Sequence, residues 1–140
     1  MWKTESSVIS KARASTIWKL YTDLKTWKNW DDSLHTSSLE GDFILGAVGL
    51  LHPKGAPDAM PFRITAVEPE RSFSNQTELP GARLTFFHRL EPVSDGTRIT
   101  HLVEITGSAW ENYGNTFGRE LEQDLPKTVL ALSELAQSLE

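Results

Sequence analysis

The stretch Ala82-Arg83-Leu84-Thr85-Phe86-Phe87-His88-Arg89-Leu90 is followed, after Glu91-Pro92-Val93-Ser94-Asp95-Gly96, by Thr97-Arg98-Ile99-Thr100-His101-Leu102-Val103-Glu104-Ile105-Thr106. Both runs alternate. In the first, Ala82, Leu84, Phe86 and Leu90 share one parity with His88, while Arg83, Thr85 and Arg89 take the other. In the second, Ile99, Val103 and Ile105 share a parity with His101, opposite Arg98, Thr100 and Glu104. A period of two marks a strand with one buried face. Phe87 and Leu102 break the pattern. A two-residue turn at Ser94-Asp95 pairs Val93 with Gly96 and makes the runs an antiparallel hairpin. Leu90 then faces Ile99, Phe86 faces Val103 and His88 faces His101. The two histidines stand side by side on the inward face, about 5 Å apart at Cβ. A slip of one residue would turn one strand's apolar set to solvent, so parity specifies the register.

Working outward, the same punctuation runs back to His35. Candidate strands are residues 35–41, 48–52, 60–67, 72–79, 82–93 and 97–106, separated by Gly46, Pro53-Lys54-Gly55, Pro69-Glu70, Pro80-Gly81 and Ser94-Asp95-Gly96. No helix intervenes, so the strands meander in one antiparallel sheet. Residues 3–11 form a further strand. Ser15 is placed to cap a helix whose face carries Ile17, Leu20, Tyr21 and Leu24, and Thr26 a second short one with Trp27 and Trp30. After the hairpin, Ser108 and Glu111 have capping-box spacing, and Tyr113, Phe117, Leu121, Leu125, Val129, Leu132, Ala136 and Leu139 form one long apolar stripe. Pro126 lies inside it, where a kink is expected. The fold class is α+β, with residues 1–140 as a single domain.

Composition narrows the function. The chain has 140 residues, 39% of them hydrophobic, and a net charge of −5. That is too apolar for disorder and too acidic for gripping phosphates, so no nucleic-acid partner is expected. No cysteine occurs, which removes thiolate metal sites and cysteine nucleophiles. The longest apolar run, residues 43–51, falls short of the roughly 20 residues of a membrane span. The first ten residues lack a signal-peptide core, so a cytoplasmic location is expected.

The run Val8-Ile9-Ser10-Lys11-Ala12, then Ile17-Trp18-Lys19-Leu20, Asp23, Trp27 and Trp30-Asp31, resembles the opening of the SRPBCC (START/Bet v 1-like) superfamily, closest to its polyketide cyclase/dehydrase-like group. The stretch from Leu39-Glu40-Gly41 to Gly46, the strand Phe62 to Pro69, the hairpin and the final helix with Pro126 fit as well, so the likeness covers nearly the whole chain. It implies a helix-grip fold: a seven-stranded antiparallel sheet curved around a long C-terminal helix, two short helices after strand 1, and a deep apolar cavity. The superfamily includes lipid carriers, hormone receptors, aromatase/cyclases and co-chaperone-like domains, with no shared catalytic signature to carry over.

On this reading the ligand is a hydrophobic or aromatic small molecule held between sheet and helix. Its walls are Phe62, Ile64, Phe73, Asn75, Phe86, His88, His101 and Val103 from the sheet, Phe117 and Leu121 from the helix, and Trp30 and Trp110 at the rim. Asn75 and Thr77 share the parity of Phe73 and put polar groups inside. Gly114 and Gly118 leave one side of the helix unfilled, for a strand or for a ligand. His88 and His101 are the candidate acid and base, although a structural role lining the wall outweighs a catalytic one. They lack a third ligand for a metal, since Glu91 and Glu104 face away, and no cofactor is expected. The alternatives are a cyclase or dehydratase acting on a polyketide-like substrate, or a protein-interaction or chaperone-regulating domain. A homodimer is left open. Asp31, Asp32, Glu40 and Asp42 are read as solvated surface, and the net negative charge as pointing the function inward, to an uncharged cavity.

Overall fold

The structure is a computed structural model covering residues 1–140. The alternating run at 82–106 forms β6 (Ala82–Val93) and β7 (Gly96–Thr106). Their register is the one parity dictates: Val93 opposite Gly96, Leu90 opposite Ile99, His88 opposite His101 and Phe86 opposite Val103. The remaining strands are β1 (Trp2–Ser10), β2 (Leu34–Leu39), β3 (Val48–Pro53), β4 (Met60–Glu68) and β5 (Ser72–Leu79). All seven join one antiparallel sheet in the order β1-β7-β6-β5-β4-β3-β2. Because opposed residues share a face, the pairings draw transverse rows across it. One row runs Ile64, Asn75, Phe86, Val103, and the next Phe73, His88, His101.

The helices cover that inner face. Helix α1 (Ala14–Thr22) buries Ile17, Leu20 and Tyr21. Ser15 is not its cap. The helix starts after Arg13 without a side-chain cap, and the Glu140 carboxylate instead accepts from the Arg13 amide (2.7 Å) and the Thr16 hydroxyl (2.7 Å). Glu140 thus ties down the residue before the helix and a first-turn hydroxyl, while the first-turn amides have no side-chain cap. A short 3₁₀ turn (Leu24–Thr26) leads into α2 (Trp27–Trp30). Thr26 does not cap α2 either, since its hydroxyl donates to the Leu20 and Asp23 carbonyls.

The C-terminal stripe becomes two helices, α3 (Trp110–Asn115) and α4 (Phe117–Ser138). Ser108 and Glu111 form no capping box, because α3 begins after Ala109 with no side-chain cap. The interruption falls at Thr116 (φ −115°, ψ −83°), while α4 continues through Pro126. Local chemistry explains the position. The Thr116 hydroxyl donates to the Asn112 and Tyr113 carbonyls, competing with the helical ladder. Glycines at 114 and 118 weaken the helix on either side. Those glycines are not room left for a ligand: a Cβ on Gly114 would sit 2.9 Å from the Trp2 ring and one on Gly118 2.7 Å from it. They admit the indole of the first strand.

Helix α4 packs on β1, β7, α1 and α2. Val129, Leu132 and Ala136 join Ile17, Tyr21, Trp27, Phe62, Ile64, Phe73 and Ile99 in the main core. A smaller cluster of Ala82, Leu84 and Ile105, with Trp2, Trp110 and Tyr113 against it, lies under α3. Burying a Leu or Phe side chain is worth about 1.5–3 kcal/mol, so the main cluster carries most of the stabilisation. No helix is long and apolar enough to cross a membrane.

Candidate functional site

Sheet and helix do not close completely on each other. A cavity of about 190 Å³ remains between the inner face of β5–β7 and the first half of α4. Asn75, Phe86, His88, His101 and Val103 line its sheet side, with Thr77 and Leu84. Phe117 and Leu121 line its helix side, with Leu125 and Thr128, and Trp27, Trp30 and Leu34 close one end. Of the residues singled out from sequence, Phe62, Ile64 and Phe73 lie instead in the solid core beneath α1 and α2, at most 2% exposed. Trp110 is packed against the small cluster and anchors the start of α3. Parity gave all of these strand residues their face, but the helices at that end fill the space above them.

The histidine pair sits where the solid core gives way to the cavity. The two rings are 4.7 Å apart, centroid to centroid, at 73°. His88 stacks on Phe73 at 3.9 Å, nearly parallel, and its Nδ1 lies 3.3 Å from the Phe73 carbonyl. A carbonyl only accepts, so Nδ1 carries the proton and Nε2 is left as an acceptor. His101 Nε2 is 2.8 Å from the Tyr21 hydroxyl. Burial pushes the Tyr21 pKa well up, so the phenol keeps its proton and the contact joins two neutral groups. Burial holds His101 down at about 3, and burial together with the neighbouring His101 holds His88 well below its usual value. Both imidazoles are neutral at pH 7. They present fixed hydrogen-bonding edges, not stored protons.

Two polar atoms near the cavity have no partner at all. Trp30 Nε1, a donor, and Asn75 Oδ1, an acceptor, are both sealed from solvent and unsatisfied. Both residues line the cavity. Trp27, by contrast, donates its indole N–H to the Tyr21 carbonyl at 2.9 Å. Buried polar groups in folded proteins are nearly always paired, so these two atoms are exceptions that single out this part of the interior.

The mouth corrects the expectation of an uncharged cavity. Asp31, Glu120 and Asp124 all line it. Asp31 is half-buried rather than solvated, because the turn after α2 folds it against α4. Its pKa is raised by burial, opposed by hydrogen bonds from Ser33, and raised further by Asp124 and Asp32. The sequence reading missed Tyr21 as the partner of His101 and missed the acids of α4. A signal for the latter exists: Phe117, Leu121, Asp124 and Thr128 recur at helical spacing, so polar residues interrupt the same stripe that holds the predicted helix wall. His52 lies elsewhere, its ring 5.6 Å from that of His35 and its Nε2 2.9 Å from the Ala56 carbonyl.

With this geometry in view, residues 1–134 match the model of the polyketide cyclase/dehydrase and lipid transport family. The chain belongs to that family. No curated protein matches its sequence significantly. Among solved structures, the fold is shared with protein MLL2253 of Mesorhizobium loti, at 14% identity over 99% of each chain with a TM-score of 0.78. It is also similar to the norcoclaurine synthase of Thalictrum flavum in complex with dopamine and hydroxybenzaldehyde, at 16% identity over 99% of this chain and 88% of that one, TM-score 0.72. The Zhui aromatase/cyclase of Streptomyces gives 13% identity over 97% and 93%, TM-score 0.73. At these identities the likeness carries the helix-grip fold alone. Function has to be argued from the site and not from the fold.

Proposed function

We propose that this protein binds a small, largely apolar molecule in the cavity between β5–β7 and α4. The observation that carries the reading is a cavity with apolar walls beside two sealed polar residues, Trp30 and Asn75, that each lack a partner. A dry core would leave those groups costing free energy with nothing to offset it. The size is informative. A cavity of about 150 Å³ holds a benzene, so about 190 Å³ takes one substituted ring or a fused pair, with any longer part emerging at the mouth.

Family membership also admits a cyclase or dehydratase role with His88 and His101 as acid and base. The pair's environment weighs against it. A group with a pKa near 3 is protonated in roughly one molecule in ten thousand at pH 7, which starves a general acid. As neutral groups the histidines instead suit orientation of a ligand's hydroxyl or carbonyl.

Calorimetric titration with naphthylethanol, a neutral fused-ring ligand, tests the reading. Saturable one-to-one binding is expected, and Leu121→Trp, which fills the helix side of the cavity without touching the main core, should abolish it. Absence of binding, or binding indifferent to Leu121→Trp, would overturn it.

A further inference from the structure

The cavity is apolar inside and anionic at its mouth, and the protein supplies no cation there. Asp31 follows α2, Glu120 and Asp124 stand one turn apart on α4, and no lysine or arginine lines the cavity. The side-chain ion pairs are Arg13–Glu140, Lys54–Asp32, Arg83–Glu78 and Arg89–Glu91, so these three carboxylates are unpaired. Lys28 and Lys127 line an adjoining polar cleft that shares Trp30, Asp31, Ser33, Asp124 and Thr128 with the cavity, and neither comes within ion-pair distance of the carboxylates. The charges of Asp124 and Asp32 act on Asp31 and add to the effect of its burial, while the Ser33 amide and hydroxyl donate to its carboxylate, so like charges converge at the opening.

Acidity alone would be only a solvated rim. The second observation lies inside. Asn75, 2% exposed, is on the inward face of β5, lines the same cavity, and its Oδ1 accepts nothing. That oxygen meets a donor on an entering molecule once the Asn75 side chain turns toward the cavity. The same cavity is lined by Trp27, Trp30 and Phe117, and aromatic faces attract cations.

Resting on the reading that the cavity binds a small apolar ligand, we propose that this ligand is a protonated amine. It has a small aromatic body, an ammonium held at the mouth by Asp31, Glu120 and Asp124, and a hydroxyl or N–H on the buried end that donates to Asn75. Acceptors at both ends and apolar contact between them select against carboxylates and phosphates, which would meet only like charge on the way in.

Three ligands with one hydroxynaphthyl body, ending in ethylamine, ethanol or propionate, separate the possibilities by calorimetry at low salt. The amine should bind about three- to tenfold more tightly than the alcohol, the size expected of a partly exposed cation between carboxylates and rings, and the propionate weakest. Roughly 0.5 M salt should shrink the difference. In the double variant Glu120→Gln/Asp124→Asn, both changes on the outer part of α4, the amine-to-alcohol ratio should fall to about one. Asn75→Leu should weaken all three ligands alike. If the alcohol binds as tightly as the amine, or the ratio survives the double variant, the cationic ligand is refuted while the cavity reading stands. If Asn75→Leu changes nothing, the inner contact is refuted. If none of the three binds, both readings fall.

Discussion

The buried histidine pair makes stability depend on pH in a way that can be worked out in advance. His101 has a folded pKa of about 3 against 6.5 for an unconstrained imidazole, and its only assigned cause is burial. Between those values the unfolded chain holds a proton that the folded chain refuses. Stability therefore rises with pH across that window and is progressively lost as pH falls below 6.5. One pH unit is worth about 1.4 kcal/mol, so going from pH 7 to pH 4.5 should cost about 2–3 kcal/mol through His101 alone. The perturbation is His101→Gln, whose amide oxygen can still accept from the Tyr21 hydroxyl but does not titrate. Removing His101 also removes the second cause that depresses His88, so any secondary effect has the same sign. Urea unfolding of both proteins at pH 7 and 4.5 gives the readout. Wild type should lose at least about 2 kcal/mol more than the variant between the two pH values. Parallel losses, or a His101 ring titrating near 6.5 by NMR, would refute the assignment of a neutral, desolvated imidazole.

Other consequences are simpler. Leu132→Ala, at a site with 0% exposure in the main core, should cost about 2–5 kcal/mol in the same unfolding assay. Gly118→Ala should destabilise although alanine favours helices by about 1 kcal/mol, because its methyl would meet the Trp2 ring at 2.7 Å. Shaving that ring with Trp2→Ala should turn the same glycine substitution from harmful to neutral or better, as a double-mutant cycle would show.

How much of this was legible depends on how local each signal is. The hairpin register could be read because parity and a two-residue turn are properties of twenty-five consecutive residues. The inward placement of Asn75 and Thr77 followed from the same alternation and survives the bulge between Ile64 and Ala66 on the neighbouring strand. Depth was not legible. Phe73 and Phe86 have equivalent patterns, yet one is core and the other cavity wall, because α1 and α2 cover only one end of the sheet. The interruption at Thr116 is not legible, since from sequence Pro126, inside the stripe, is where a kink is expected. Pro126 is exposed, and α4 runs through it. Thr116, with its hydroxyl diverted onto two carbonyls and a glycine two residues away on either side, yields first. Asp31 was read as surface because its partners across the mouth, Glu120 and Asp124, are some ninety residues away in sequence, and no window on the chain contains them together.

The seating of Trp2 on Gly114 and Gly118 also bears on the order in which the molecule can be completed. During synthesis β1 emerges first, but its sheet partner spans residues 97–105 and the surface for its indole comes later still. Every local hairpin between β2 and β7 can close while the first strand is still without a neighbour, and loop closure over such a span is entropically unfavourable. The strand made before the other six is thus among the last to find its place, and the Glu140 carboxylate reaches back over a similar span to the start of α1. Contacts of residues 2–16 with residues 97–140 close the fold, so weakening either side should loosen the structure well beyond the residues changed.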